Sequence, residues 1–339
     1  MKAFVVQKPL HFEIEQREVP EPKSTEVLVR IKAAGICGSD LHAFKGYLPV
    51  VTYPRVLGHE IAGEVVKVGP DVKQRMPGER VVIEPVVECQ SCYSCRIQYP
   101  HNCVNLQFRG IHIDGGQQEY VVIPEKKAYP VPQDMAFSTA ALAEPLGIGL
   151  ESAKTARLIP GDTVAILGAG PIGLACLIAV KANGHRAIVT DVLDPCLERA
   201  KALGADVVVN IKREDMVNSI MEFTDNKGAN VIMECAAAGT NFNPMLEASS
   251  VCGRIVLVGL IFDKVSYSPY IQVRKHIYLL GTRNSNMIPQ AIRMLAEKGK
   301  MIENVLVTHR IPFPKVDQGY DIMTNPAEDS CKIILTFPS

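Results

Sequence analysis

The chain has 339 residues, room for about two domains, and its 47% hydrophobic and 21% charged residues suit folding around its own core rather than disorder. Lysine plus arginine and aspartate plus glutamate balance at 36 each, so no net field favours nucleic acid or an anionic membrane, and neither is expected as a partner. The opening MKAFVVQKPLHFEIEQ turns acidic before any long apolar run develops, and the longest apolar stretch, Gly173 to Val180, is far too short to span a bilayer; with no secretory segment expected, a cytoplasmic protein is.

From Met1 to about Pro132, short β-rich runs are broken by glycine and proline, among them EVLVRIKAAGICG, EIAGEVVKVG, ERVVIEP and EYVVIPEKKAYPVP. They predict a barrel-like or sandwich region with loops. After Thr139 the run AALAEPLGIGLESAKTA predicts helix, and apolar strands then alternate with helical segments. Strands are expected at 163–167, 187–191, 206–210, 230–235, 254–260 and 276–281, a pattern that predicts a parallel sheet covered on both faces. The last stretch predicts a helix in IPQAIRMLAEKGKMI, a second in HRIPFPKVDQGYDIM, and a closing strand in CKIILTF that returns to the first domain.

Two sets of residues carry metal-ligand chemistry. Cys89, Cys92, Cys95 and Cys103 lie within one short loop, where four thiolates can close a tetrahedral zinc site with no open position, hence a structural one. Disulfides are the plainer alternative, but two-residue gaps among three cysteines in a reducing compartment favour metal. A nucleic-acid-binding zinc ribbon is another reading, and Glu84, Glu88 and Tyr93 around the loop do not make its basic footprint. The second set is dispersed: Cys37 in AAGICGSDLHAFKG, His59 and Glu60 in YPRVLGHEIAG, and Glu144 in ALAEPLGIG. Singly each is bland, a small core thiol or a helix-start acid. Together, a mixed Cys/His/carboxylate set with one position left over is what a catalytic zinc needs.

The segment TVAILGAGPIGLACLIAVKANG places Gly168, Gly170 and Gly173 in a G-x-G-x-x-G pattern after a strand and at the start of a helix. Such glycines allow a tight turn, close backbone approach to a pyrophosphate and close helix packing, while Pro171 and Ile172 open the helix whose free N–H groups attract phosphate. Asp191 ends the next strand about 20 residues on, where an acid binds the adenosine ribose hydroxyls and repels a 2′-phosphate. NAD is therefore expected over NADP, with Arg186 and Arg199 as possible phosphate partners. A glycine turn that only packs a helix on a sheet is the bland alternative.

The motifs in order are GICGSDLH from Gly35, GHE from Gly58, the four cysteines, GGQQEY from Gly115, AEPLG from Ala143 and GAGPIG from Gly168. They resemble those of the zinc-dependent medium-chain alcohol and polyol dehydrogenases, over essentially the whole chain. The resemblance implies an α/β protein: a GroES-like β-rich catalytic domain at 1–145 and 282–339 with a structural zinc lobe at 84–106, and a Rossmann doubly wound parallel sheet at 146–281 that binds NAD. Catalysis is implied in the cleft between them. Two zinc ions per subunit are implied, the catalytic one on Cys37, His59 and Glu144, with Glu60 a nearby carboxylate able to bind or exchange. Whether Glu144 or water completes that set stays open.

By the same resemblance Ser39 stands next to the reacting hydroxyl, His42 is the outer proton relay, and Asp40 accepts a hydrogen bond from His59. Ser39 and Asp40 also read as a helix N-cap. Glutamate at 144, where simple alcohol dehydrogenases have cysteine, together with GTRNSNMIPQAIRMLAEKGKM and RGIHIDGG, resembles sorbitol-type and bacterial hexonate or galactonate dehydrogenases. The expected reaction is hydride transfer from a secondary hydroxyl of a polyol or sugar acid to NAD. Arg283 and Asn284 would grip a carboxylate or hydroxyls, or Arg283 forms a surface ion pair; His112 is a substrate contact or a loop residue. The alternatives are an L-threonine or secondary-alcohol dehydrogenase of the same family, or a non-catalytic zinc-binding protein. A homodimer or homotetramer joined at the sheet edge near 276–281 is also implied.

Overall fold

The computed structural model describes residues 1–237, 239–325 and 327–338. Contacts divide them into two compact units, Met1–Glu144 with Asn286–Ser339, and Pro145–Ser285. The first part of the chain forms strands β1 (Lys2–Lys8), β2 (His11–Gln16), β3 (Glu26–Ile36), β4 (Arg55–Val56), β5 (Glu60–Val68), β6 (Arg80–Ile83), β7 (Val86–Val87), β8 (Gln107–Phe108), β9 (Tyr120–Pro124) and β10 (Ala128–Pro130). Short helices α1 (Gly38–Phe44), α2 (Tyr93–Arg96) and α3 (Phe137–Ala141) sit between or after them, and α4 (Ala143–Thr155) follows.

The second unit contributes β11 (Thr163–Leu167), β12 (Arg186–Asp191), β13 (Val207–Asn210), β14 (Ala229–Glu234), β15 (Ser249–Leu257) and β16 (Tyr278–Gly281). All five pairings are parallel, in the order β13-β12-β11-β14-β15-β16. That is the doubly wound Rossmann order, with the first strand central. Ala165, Ile188, Val209, Ile232 and Ile255, one from each of five strands, share one buried cluster, which is why these strands read as apolar runs rather than as alternations. Helices α5 (Pro171–Ala182), α6 (Asp194–Ala202), α7 (Met216–Phe223), α8 (Asn243–Ala248) and α9 (Pro269–Lys275) connect them.

The chain then returns to the first unit through α10 (Ile288–Leu306), β17 (Val307–Pro312), α11 (Val316–Thr324) and β18 (Lys332–Thr336). Glu303 on α10 fastens this segment, accepting from Ser138 at 2.6 Å and from Thr139 of α3 and pairing with Arg310 at 2.6 Å. The sequence reading takes residues 309–323 as one helix; the helix begins only at Val316. Val307–Pro312 is a strand because it lies parallel to β18, and β18 in turn pairs antiparallel with β3. The principal sheet of this unit runs β10-β6-β5-β3-β18-β17, with β9 also on β3, and its β-rich fold is the GroES-like one. Phe4, Ile31, Leu57, Ile61, Ile83 and Ile123 fill its core.

Candidate active site

Three neighbouring strands bring one buried centre together. Cys37 follows β3, Glu60 opens β5, and Lys332 opens β18. Register explains the meeting: Gly35 is opposite Glu60 across β3 and β5, and Ile36 is opposite Ile333 across β3 and β18. Glu60 is fully buried, its Oε1 accepting from Lys332 Nζ at 2.5 Å, and its Oε2 has no hydrogen-bond partner. A Cβ at Gly35 would sit 1.8 Å from that Oε2, so the carboxylate crosses β3 only because residue 35 has no side chain. Burial opposes the charge on Lys332, but Glu60 and Cys37 beside it prevail and hold the ammonium above the usual lysine range.

Asp40 fixes the two loops that carry the remaining groups. Cys37 is the N-cap of α1, and Asp40, the third helical residue, reaches back to accept from Cys37 N at 2.9 Å. Its other oxygen accepts from Gly58 N at 3.0 Å. The expected Ser39 or Asp40 cap is thus displaced by Cys37, since the helix already starts at Gly38. The expected partner of His59 is in place: its Nδ1 lies 3.5 Å from Asp40 Oδ1, an ion-pair distance longer than an ordinary hydrogen bond.

Donor atoms of Cys37, His59 and Glu60 all lie within 4.8 Å of one another. A thiol, an imidazole and a carboxylate of mixed softness, with two buried polar atoms lacking partners, fit a zinc ion. Burial works against a charged imidazole, yet Asp40 and Cys37 outweigh it and keep His59 well above the usual histidine range, so a metal there must displace a proton. Glu144 stands outside the 4.8 Å group but close enough to feel it. Burial first, then Glu60, raise its carboxyl to about 7 against the pull of His59 and Lys332.

The four-cysteine loop is built differently. The Sγ atoms of Cys89, Cys92, Cys95 and Cys103 lie within 4.8 Å of one another, Cys92 being 3.4 Å from Cys95 and 3.8 Å from Cys103. Tetrahedral thiolates on zinc at ~2.3 Å would be about 3.8 Å apart. All four are free thiols rather than disulfides. Cys103 Sγ accepts from the backbone N–H of Cys89 and of Asn105, each at 3.3 Å. Ser94 with backbone N–H groups draws Cys92 down to about 5, whereas burial and the neighbouring thiols push Cys95 up to about 12.

In the second unit, Gly168 has φ +95° and a Cβ at Gly173 would lie 1.8 Å from Gly168 O, so both close approaches need glycine. Gly170, the N-cap of α5, faces open space instead, a cradle that a Cβ would fill, and Pro171 and Ile172 begin the helix. Asp191 Oδ2 accepts from Ala169 N at 2.7 Å, and Oδ1 from Val192 N and Leu193 N at 2.7 and 3.0 Å. The acid and the glycine loop are therefore one structure, with N–H groups and an open backbone suited to a dinucleotide.

Residues 23–133 match the alcohol dehydrogenase GroES-like domain, and residues 171–301 match the zinc-binding dehydrogenase domain. L-galactonate-5-dehydrogenase of Escherichia coli K12 is 31% identical over 341 residues, covering 99% of both chains. The chain belongs to the zinc-dependent medium-chain alcohol and polyol dehydrogenases. Among similar solved structures, the short chain alcohol dehydrogenase RspB from E. coli CFT073, complexed with NADH, is 34% identical over 99% of both chains with a TM-score of 0.93. A zinc-binding dehydrogenase from Sinorhizobium meliloti 1021 bound to NADP is 29% identical over 99% of this chain and 98% of its own, with a TM-score of 0.92.

As a zinc medium-chain dehydrogenase the protein is an oxidoreductase. Of the other expected site residues, Ser39 and His42 share one face of α1 at i, i+3 spacing, Ser39 half-buried and His42 exposed with its ring 6.4 Å from that of Tyr47. His112 Nδ1 accepts from Phe108 N at 3.0 Å, so that nitrogen serves its own loop; Phe108 in turn lies 5.2 Å from the His59 ring. Arg283 is exposed and Asn284 has φ +51°, and both cluster with the second unit, whereas the sequence reading places them in the first. The sequence reading also missed Lys332, and weighed Glu84 only as a charge near the cysteine loop. Glu84 is a buried carboxyl raised to about 7 by burial, against Lys127. The available signal was a charge at the end of an apolar run, Lys332 before IILTF and Glu84 after RVVI.

Proposed function

We propose that this dehydrogenase oxidises a secondary hydroxyl of a polyol or sugar acid, a hexonate being the favoured class, with NAD as acceptor. The observation that carries the reading is the buried Cys37, His59 and Glu60 centre with Glu144 beside it, a set of donors one neutral and two or three anionic once deprotonated. Zinc held there would supply Lewis acidity toward the substrate hydroxyl, and the dinucleotide a hydride acceptor. Cys37 and His59 are its proposed protein ligands, with Glu144 or Glu60 as the carboxylate partner. Four cysteines, Cys89, Cys92, Cys95 and Cys103, would hold a second, structural zinc.

The chain's own residues would do the rest. Asp40 orients the Cys37 and Gly58–His59 loops through their backbone. Lys332 holds Glu60 Oε1 turned toward β18. Ser39 would take the substrate proton and pass it to His42, whose exposure lets it reach water. Gly168, Gly170, Pro171, Ile172, Gly173 and Asp191 are the proposed dinucleotide contacts. The relative named for L-galactonate supports the sugar-acid class, and Arg283 remains the proposed carboxylate grip.

No helix among the described residues is long and apolar enough to cross a membrane, and ten free cysteines support a reducing, cytoplasmic setting. The unpaired edge of β16, with Tyr278, Tyr270 and Val273 exposed near it, supports pairing of two copies there. Initial rates of NAD reduction across hexonates, their matching polyols, L-threonine and 2-butanol test the reading. Turnover of a hexonate above its polyol is expected. Preference for L-threonine would overturn the substrate class, and no turnover by zinc-loaded protein would overturn the reaction.

A further inference from the structure

Beside Asp191 stands a charge pair that sequence reading did not reveal. Asp194 opens α6, three residues past Asp191. Arg213 follows β13, whose last residue, Asn210, is opposite Asp191 in the sheet. The turn after β13 folds back on itself, Arg213 N and Glu214 N bonding to Asn210 O at 2.9 and 3.0 Å. Across the two turns Arg213 meets Asp194 with both prongs of its guanidinium, at 2.9 Å to Oδ2 and 2.6 Å to Oδ1, and Asn210 Nδ2 donates to Oδ1 at 2.8 Å. The three bonds draw the Asp194 carboxyl down to about 2, although the pair is open to solvent.

The two cations first expected near a 2′-phosphate do not compete for this role equally. Arg186 opens β12, about 16 Å of strand from Asp191, and its guanidinium lies over the Phe223 ring at 4.4 Å. Arg199 lies farther along α6. Val192 and Leu193, between the two aspartates, are exposed and carry no charge. Arg213 is therefore a cation at the Asp191 end of the sheet, and its fork geometry is the one that grips a carboxylate or a phosphate equally well.

We propose that Asp194 sets the preference for NAD over NADP by holding Arg213 in this bidentate pair, so that the 2′-phosphate meets two carboxylates and no available guanidinium. Asp191 then excludes the phosphate by its own charge, and Asp194 excludes it by occupying the group that would neutralise it. The proposal rests on the second unit binding a nicotinamide dinucleotide. As stability, an exposed pair of this kind is worth little. As selectivity it decides whether a charge-assisted phosphate contact can form at all.

The test is a fluorescence titration of the zinc-loaded protein with NADH and NADPH at low salt, for wild type, Asp194→Asn, Arg213→Gln and the double variant. Asp194→Asn should raise NADPH affinity relative to NADH by about tenfold, an advantage that shrinks with added salt. Arg213→Gln alone should not raise it, and the double variant should return to the wild-type ratio. An unchanged ratio in Asp194→Asn, with NADH still bound, overturns the proposal. So does a gain that survives in the double variant, since repulsion alone would then explain it. Wild type that binds neither dinucleotide overturns the dinucleotide reading itself, a result distinct from either.

Discussion

The two candidate metal centres of this chain are opposites in construction. The four-cysteine loop draws its donors from fifteen consecutive positions, is half exposed, and is shaped by local turns and N–H···S bonds. The Cys37, His59 and Glu60 centre takes its donors from separate strands and loops, is mostly buried, and leans on Lys332, 272 positions from Glu60. A closed set of four equal ligands suits a staple, and a mixed set with polar atoms left unpaired suits chemistry. Local construction is legible in one stretch of sequence, while distributed construction depends on the whole sheet being formed.

The largest effect that would sharpen this contrast is catalytic. His59→Ala should lower turnover by about 10³-fold or more, since Lewis-acid assistance is worth several kcal/mol, while the protein keeps its fold and its cysteine-bound zinc. Steady-state rates with the best hexonate check this, and turnover within about tenfold of wild type would break the assignment.

Stability should respond next, at the distributed centre. Lys332→Met leaves the Glu60 carboxylate buried without its partner and should destabilise the first unit by about 3–5 kcal/mol in urea unfolding. Pairing it with Glu60→Gln should recover most of that loss. If Lys332→Met alone were neutral, the pair would not organise the centre.

A third comparison lies within one loop. Gly173→Ala places a Cβ 1.8 Å from Gly168 O and should lower the Tm, whereas Gly170→Ala points into open space and should leave the Tm alone but weaken NADH binding. Melting curves and dinucleotide titrations on both variants separate the packing glycine from the one that faces ligand. Equal loss of Tm in the two would contradict the distinction.

The smallest effect is one of pH. Zinc on the proposed ligand His59, held above its usual range, would displace a proton there, and a second one from Glu144, raised to about 7, if that carboxyl completes the set. Below those values both groups are protonated in the metal-free state, so zinc affinity of the buried centre should fall as pH drops through 7 rather than only near the usual carboxylate range. Chelator competition between pH 8 and 6 measures it, and a flat response would show that neither group releases a proton to the metal.

The same contrast explains what the sequence revealed. The cysteine spacing, the glycine loop and Asp191 are local patterns, each read from a run of residues whose geometry is set by its neighbours. Five parallel pairings follow from alternating apolar runs and helices, although β15 begins at Ser249 rather than 254, because its first residues pair at a register shift against Ala229. Lys332 showed only as a charge at the head of an apolar run and Gly35 only as a motif glycine, because the role of each comes from Glu60 crossing β3. His309 to Pro312 looked helical because nothing local shows that β18 lies beside them. Arg213 likewise has meaning only once β12 and β13 align Asp191 with Asn210.

The most direct test of the central claim, that one buried open centre and one closed cysteine centre coexist, is a count of zinc per chain by native mass spectrometry on wild type and Cys37→Ala. Two zinc ions in wild type and one in Cys37→Ala, with the remaining ion still bound by the loop of Cys89, Cys92, Cys95 and Cys103, is the predicted result. A single zinc in wild type, or two still present in Cys37→Ala, would contradict it.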